Sequence, residues 1–413
     1  MTIRWNSLVV GLAVLSGCGG DQGPSGPPSD DPDDYAVDTS VEYDLEVSEP
    51  RWVVPSDALP PEIETMDSNN NVAIALHEDR LFLAWRTAEY HFASRNAKIF
   101  IVSSTDMGES WDFEQEIALR TDLREPFLYV ARDVLYLTFF EAGDLPVAFE
   151  PHVMWRTARQ GLGEWTDLET WGEPGEIPWE IKERGGRVYL TSYLGDHYGT
   201  GESNVDVRFW VSDDGVSWAA IDADDPTVYH GGCSEAGFEF DAEGALWAVL
   251  RNEDGDETGF GSLLCHAEPD ALGQWDCPTE SDPERYDSPR MFRHGDDLYL
   301  VARRDIDGPY DQGVEGVSYV ELRGQYLADY SARPKRTAIY RIDRAAERVV
   351  HIVDLPSAGD TAFPSIRRLG PHQVLVANYT SPLDDPDISW VDGQASSEGT
   401  QIYLVTLTFV ARP

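Results

Sequence analysis

The chain has 413 residues, 41% of them apolar, and a formal charge of −44 from 75 acidic residues against 31 Lys and Arg. That length allows one large domain with a sizeable core. The charge argues against nucleic acid or an anionic membrane surface as the main partner. The 13 Trp, 18 Tyr and 15 Phe favour strands over helices, and 35 Gly with 26 Pro fit a chain with many turns.

The first residues read as a targeting segment. Arg4 supplies a positive start, Leu8 to Leu15 form an apolar stretch too short to span a bilayer, and Ser16-Gly17 are small. The run Leu15-Ser16-Gly17-Cys18 resembles the lipobox of bacterial lipoproteins, which implies cleavage before Cys18 and lipid on that residue. Gly19 after it, in place of Asp, leans towards the outer membrane by the sorting pattern of such lipoproteins. Residues 1–17 are therefore expected to be a signal peptide, 18–42 a flexible Gly/Pro/Asp-rich tether, and 43–413 the folded domain. Export places Cys233, Cys265 and Cys277 in an oxidising compartment. Cys265 and Cys277 flank a Trp-containing turn and could close a small loop, leaving Cys233 over, but spacing alone does not fix the pairing.

One phrase then recurs: a short strand, a turn, and an apolar-aromatic strand ending on a chosen residue. Its second halves end at Arg86, Phe140, Tyr193, Arg251, Arg303 and Tyr379, which lie 54, 53, 58, 52 and 76 positions apart. A second strand pair follows each phrase, as in Lys98 to Ser103 and Val207 to Val211. A period near 50 with four strands per unit is the pattern of propeller blades. The expected fold is all-β, a six-bladed β-propeller of four-stranded antiparallel blades. A pair of β-sandwiches would also show short strands, but not six copies of one phrase. The long interval carries an insertion over residues 305–334 that is expected to loop out, and Leu45 to Val54 are expected to complete the last blade.

The outer turns carry a family likeness. Ser104-Thr-Asp106-Met-Gly108-Glu-Ser110-Trp111 resembles the Asp-box of the sialidase superfamily; Ser212 to Trp218 is the same motif one residue short, and Gly273-Gln-Trp275 a remnant. In such a turn the Asp carboxylate accepts backbone N–H bonds, Gly takes a positive φ, and Trp packs between blades. The resemblance implies a sialidase-like propeller, with its site at the end of the axis where inner strands begin and second strands end.

At that mouth the repeat places Arg86, Arg251 and Arg303, whose forks suit a carboxylate or sulfate. Glu235 opens its inner strand sixteen residues before Arg251, as in sialidases, and by that likeness would polarise a Tyr nucleophile while Arg251 binds the substrate carboxylate. Other features of the family are missing. Asn69-Asn70-Asn71 replaces the opening Arg phrase, the loop 90–98 offers His91 but no Asp, and Phe363 stands where the nucleophilic Tyr opens the last blade. Tyr193 or Tyr379 is the candidate replacement nucleophile, and His91 or Glu141 the candidate acid. Arg124-Glu125-Pro126 and Trp179-Glu180-Ile-Lys182 open two further inner strands and rank lower. The loop Asn252 to Glu257 is acidic, but its spacing is not that of an EF-hand, so a solvated loop is expected. Gly231 to Ser234 lack nucleophile-elbow spacing, and no zinc-type spacing occurs. The expected protein is a monomeric lipoprotein without a cofactor that binds an anionic glycan and is a candidate to hydrolyse it; the alternative is a non-catalytic recognition or scaffold propeller.

Overall fold

A computed structural model describes residues 29–146, 148–222, 225–311 and 314–413; the leader and Cys18 lie outside them. Six antiparallel sheets follow one another along the chain. From the axis outward, the first has strands Ser68–His77, Arg80–Ala88, Lys98–Ser104 and Asp112–Ile117. The second runs Asp122–Ala131, Val134–Ala142 and Pro151–Gly161, with an outer edge divided between Glu164–Trp165 and Glu169–Trp171. The third runs Ile177–Arg184, Arg187–Gly195 and Val205–Ser212, edged by Ala219–Ala220 and Thr227–Gly231. The fourth has Cys233–Phe240, Leu246–Asn252 and Leu263–Ala267. The fifth has Tyr286–His294, Asp297–Asp305, Lys335–Asp343 and Arg348–Asp354. The sixth has Ser365–Gly370, Gln373–Thr380 and Gln401–Ala411, and the N-terminal strands Tyr43–Val47 and Arg51–Val54 form its outer edge. The ring therefore closes by pairing the two ends of the described chain, as the sequence led us to expect, and the fold is a six-bladed β-propeller.

Alternating apolar positions on each strand bury both faces of every sheet against its neighbours. Phe82, Ile99, Leu123, Leu137 and Phe139 fill the seam between the first two blades, all with no exposed surface. Ile74, Leu83, Trp85, Ile402 and Leu404 fill the closing seam. Burying each such side chain contributes about 1.5–3 kcal/mol, so the seams hold the ring together. The outer turns add pegs. Ser104 Oγ accepts the Gly108 N–H at 2.7 Å, the Asp106 carboxylate accepts the Ser110 N–H at 2.9 Å, and Trp111 is buried beside Leu404.

The fourth blade has the shortest outer edge, a single bridge between His266 and Asp276. The Cys265–Cys277 disulfide pins that edge, and Cys233 is a buried free thiol. Cutting a loop of 12 residues this way should cost about 2–4 kcal/mol. Cys265→Ala/Cys277→Ala is thus expected to lower the urea midpoint without changing the slope; an unchanged midpoint would show that the bridge adds nothing to the edge.

Two expectations need correction. The insertion does not simply loop out: its residues Tyr319–Ser331 form a helix that folds back over the mouth. Ser318 caps that helix in a reciprocal capping box with Glu321, and Tyr330 at its end is fully buried. Of the stretch expected as a tether, residues 29–42 lie against the domain, with a short 3-10 turn at Pro32–Asp34.

Candidate active site at the propeller mouth

Five inner strands carry a break in register near their start: between Asn70 and Ala73, Arg124 and Phe127, Pro178 and Glu180, Cys233 and Ala236, and Asp287 and Arg290. Such bulges bend the strand and re-aim a side chain, here towards the axis. Asn71, Glu125 and Ser288 adopt φ near 50° at these points, and Phe363 has φ 72° in the sixth blade. Left-handed backbone at non-glycine residues costs about 1–3 kcal/mol each and persists where surrounding structure imposes it. At these four positions the strain lies beside the mouth.

A cavity of about 500 Å³ opens there. Its wall includes Glu125, Tyr193, Glu235, Arg251, Arg303 and Phe363, joined by His91, Arg124, His197, Tyr198 and Glu253. Leu327 and Ser331 of the insertion helix and Trp390 of a second short helix (Trp390–Ala395) cover one side. Of the eight mouth residues given roles from the sequence, Glu235, Tyr193, Arg251, Arg303 and His91 thus meet, whereas Arg86, Tyr379 and Glu141 do not line the cavity, and Glu141 instead accepts the Trp155 indole N–H.

Arg86 and Arg251 are paired with acids, whereas Arg303 keeps Nη1 without a hydrogen-bond partner. Arg86 is fully buried and holds Asp122 through Nε at 3.1 Å and Nη2 at 2.7 Å. Arg251 lies between three acids, with Nη1 2.6 Å from Glu235, Nη2 2.6 Å from Glu253 and Nε 3.1 Å from Asp287. Arg303 donates through Nε to the Thr361 carbonyl at 2.8 Å and through Nη2 to Ser288 at 3.2 Å, and stacks on Trp390 at 4.6 Å. Arg285, which the sequence did not single out, completes the network: its Nε donates to Asp287 at 2.7 Å and its Nη2 lies 2.9 Å from Glu253. Burial pushes Glu253 and Asp287 upward, but Arg251 and Arg285 together outweigh it and hold both below the usual carboxylate range. The reading of Arg86 and Arg251 as open carboxylate receptors is therefore corrected. Their acids come from inner strands and the loop beyond the blade, and they neutralise the forks.

The tyrosines fare similarly. Tyr379 has no exposed surface and donates to Asp360 at 3.0 Å, so it faces no substrate. Tyr193 faces the cavity, but burial and the nearby Glu125 and Glu235 push its hydroxyl well above its ordinary value. A phenolate nucleophile is disfavoured at both positions. Glu235 is not poised on a tyrosine: Oε1 takes Arg251 Nη1 and Oε2 takes the Ser288 N–H at 2.9 Å.

Glu125 is the unexpected feature. Its Oε2 is buried without a hydrogen-bond partner. Burial and then the charge of Glu235 push its carboxyl up to about 8, against Arg290, Arg124 and Arg251. Burial raises Glu235 as well, with Arg251 opposing. With a guanidinium and a backbone N–H on Glu235 and neither on Oε2 of Glu125, the proton rests on Glu125. Two neighbouring carboxyl groups are thus differentiated into a neutral acid and an anchored anion. The only sequence sign was an acidic residue near the start of an inner strand, which Glu180 and Glu235 show as well.

His91 sits beside them with Nδ1 2.7 Å from Asp360 Oδ2, which leaves Nε2 as the remaining ring nitrogen. Burial lowers its basicity despite Asp360, so a neutral imidazole is favoured. On the other side, His197 Nδ1 lies 2.9 Å from Asp254, and Tyr198 donates to Glu253 at 2.7 Å. Burial opposes the charged form of His197, but Asp254 and Glu253 outweigh it and raise it to about 9. The loop expected to be solvated is in fact held inside the mouth by these contacts, with Glu253 and Asp254 almost wholly buried.

No protein-family model matches the chain, and no curated protein matches it in sequence. Solved structures do share its fold. A protein of unknown function from Dyadobacter fermentans superposes with TM-score 0.57 at 14% identity, over 88% of this chain and 99% of that one. The endosialidase of phage phi92 gives 0.57 at 11% identity, over 92% of this chain and 71% of its own. The α-L-arabinofuranosidase Arb93a of Fusarium graminearum, solved as its E242A mutant with an iminosugar inhibitor, gives 0.51 at 11%, over 84% and 97%. At these identities the likeness is one of fold.

Proposed function

We propose that the chain is a glycan-cleaving propeller in which Glu125 donates a proton to a glycosidic oxygen and Glu235 is the opposed carboxylate. The observation that carries this reading is Glu125 itself: half-buried, held at φ 52°, with one oxygen buried and unpartnered, and raised to about 8 beside an anchored Glu235. A neutral acid beside a carboxylate is the pairing that glycoside hydrolysis uses. As the proton moves to the leaving oxygen, the carbon–oxygen bond breaks and its electron pair leaves with that oxygen. Glu235 stabilises the positive charge that develops on the sugar. Water then adds to the sugar and returns a proton to the carboxyl pair. Phe363, Trp390 and Tyr198 supply apolar faces on which a sugar ring can stack.

Glycan-processing neighbours among the solved folds support the substrate class. The matched charges of Arg86 and Arg251 favour a sugar that is neutral at the reacting ring over a sialic acid. The purified chain should therefore release aglycone from neutral aryl glycosides or shorten neutral polysaccharides, and leave sialosides intact. Turnover of sialosides alone would restore the anionic substrate. No turnover, with unaltered binding in Glu125→Gln, would support a recognition module instead.

Cys18, outside the described residues, is proposed to carry the lipid that anchors an exported protein in the outer membrane. Metabolic labelling with a fatty-acid probe should mark the wild type and fail to mark Cys18→Ser, which should also leave the membrane fraction. Equal labelling of both would end that assignment.

A further inference from the structure

The opposite end of the axis has the reverse electrostatics. In a chain with 31 Lys and Arg in total, Lys182, Arg184, Arg293, Arg367 and Arg368 converge where inner strands of the third, fifth and sixth blades end. The carboxylates that the propeller itself places among them are Glu180 and Glu239; Lys182 lies 3.3 Å from the first, and Arg184 2.6 Å from the second. Arg293 and Arg368 are each less than a tenth exposed, and each leaves Nε without a partner. Buried, unpaired guanidinium nitrogens are costly unless an anion answers them.

The segment before the first strand brings carboxylates to this cluster, although the Nε atoms themselves stay unpartnered beside it. Asp33 pairs with Arg293, Asp30 accepts the Arg368 N–H at 3.0 Å and lies 3.5 Å from Arg367, and Asp31 accepts the Gly185 N–H at 2.8 Å. The Tyr35 ring lies 5.7 Å from the Arg368 guanidinium. Beneath Asp30 a residual cavity of about 20 Å³ remains, room for about one water or a small ion.

We propose that the underside of the propeller is an anion-binding site for acidic peptide, and that residues 30–33 are the ligand it holds in cis. Residues 30–33 are thereby fastened at the end of the axis opposite the mouth. A tether pulling on the chain ahead of them would hold the propeller by its underside and leave the mouth facing away. A tethered ligand works at an effective concentration on the order of millimolar, which excludes weaker competitors.

The full chain carrying Asp30→Asn and Asp33→Asn tests this with a synthetic peptide of residues 29–37 as probe, followed by titration calorimetry. The variant should bind the peptide at least tenfold more tightly than the wild type, whose site is filled, and binding should weaken with added salt. Hydrogen exchange at the Gly185 amide should quicken in the variant and slow again with peptide. Equal affinity for wild type and variant, or no binding to a variant whose unfolding midpoint is unchanged, would overturn the proposal.

Discussion

Replacing Glu125 by Gln is expected to lower turnover of a neutral glycoside by roughly 100- to 10,000-fold, the range a general acid supplies. The amide keeps the shape and one hydrogen-bonding edge but carries no transferable proton of that acidity. Substrates whose leaving group needs no protonation should lose far less, which separates proton donation from substrate positioning. The wild-type rate should fall as pH rises past about 8, where Glu125 ionises. Stability gives an independent reading. Because the folded pKa lies above the ordinary value, the folded state binds the extra proton. That contribution is complete below pH 4.5 and disappears as pH rises through about 8. Glu125→Gln should therefore gain stability relative to wild type as pH increases from 5 to 9. A constant difference in unfolding midpoint across that range would show that Glu125 is an ordinary carboxylate.

Replacing Arg251 by Ala should be the most damaging single change to the fold. It strips the shared cation from Glu235, Glu253 and Asp287, all buried, and Arg285 reaches two of these. Breaking a buried ionic cluster by removing one partner costs about 3–5 kcal/mol, against a total of about 5–15 kcal/mol for a typical domain. Arg251→Lys should recover part of the loss, since one ammonium cannot serve three acids from three nitrogens. The deficit should shrink as pH falls: Glu253 and Asp287 have lowered folded values, so their stabilisation is present above the ordinary carboxylate range and lost on acidification. A deficit in urea midpoint that ignored pH would assign the effect to lost packing.

The architecture was legible because it repeats. Six second strands share one apolar-aromatic phrase, and a period of that kind survives local variation. The strap that closes the sixth blade was legible for the same reason, as unpaired alternating residues at Leu45 to Val54. The mouth was legible only in part. Glu235 and Arg251 share one hairpin, so their approach follows from register. The partners that neutralise Arg86 lie 36 positions away, at Asp122, in another blade. No spacing rule finds such a pair. Glu125 was seen but ranked low, because its distinction is conformational. A bulge at φ 52° turns it into the axis, and neither Arg124 nor Pro126 announces that geometry. The insertion was misjudged for a related reason. Its helix has little amphipathic pattern of its own and is fixed by Tyr330 and Arg285, 4.0 Å apart, which only the tertiary fold brings together.

The state of Glu125 at neutral pH is the point on which the catalytic reading turns. Difference infrared spectroscopy of wild type against Glu125→Gln, titrated from pH 5 to 10, reads it directly. A protonated-carboxyl band present at pH 7, absent from the variant and lost near pH 8, is the expected result. A Glu125 carboxylate already ionised at pH 6 would contradict it, leaving the mouth without its acid.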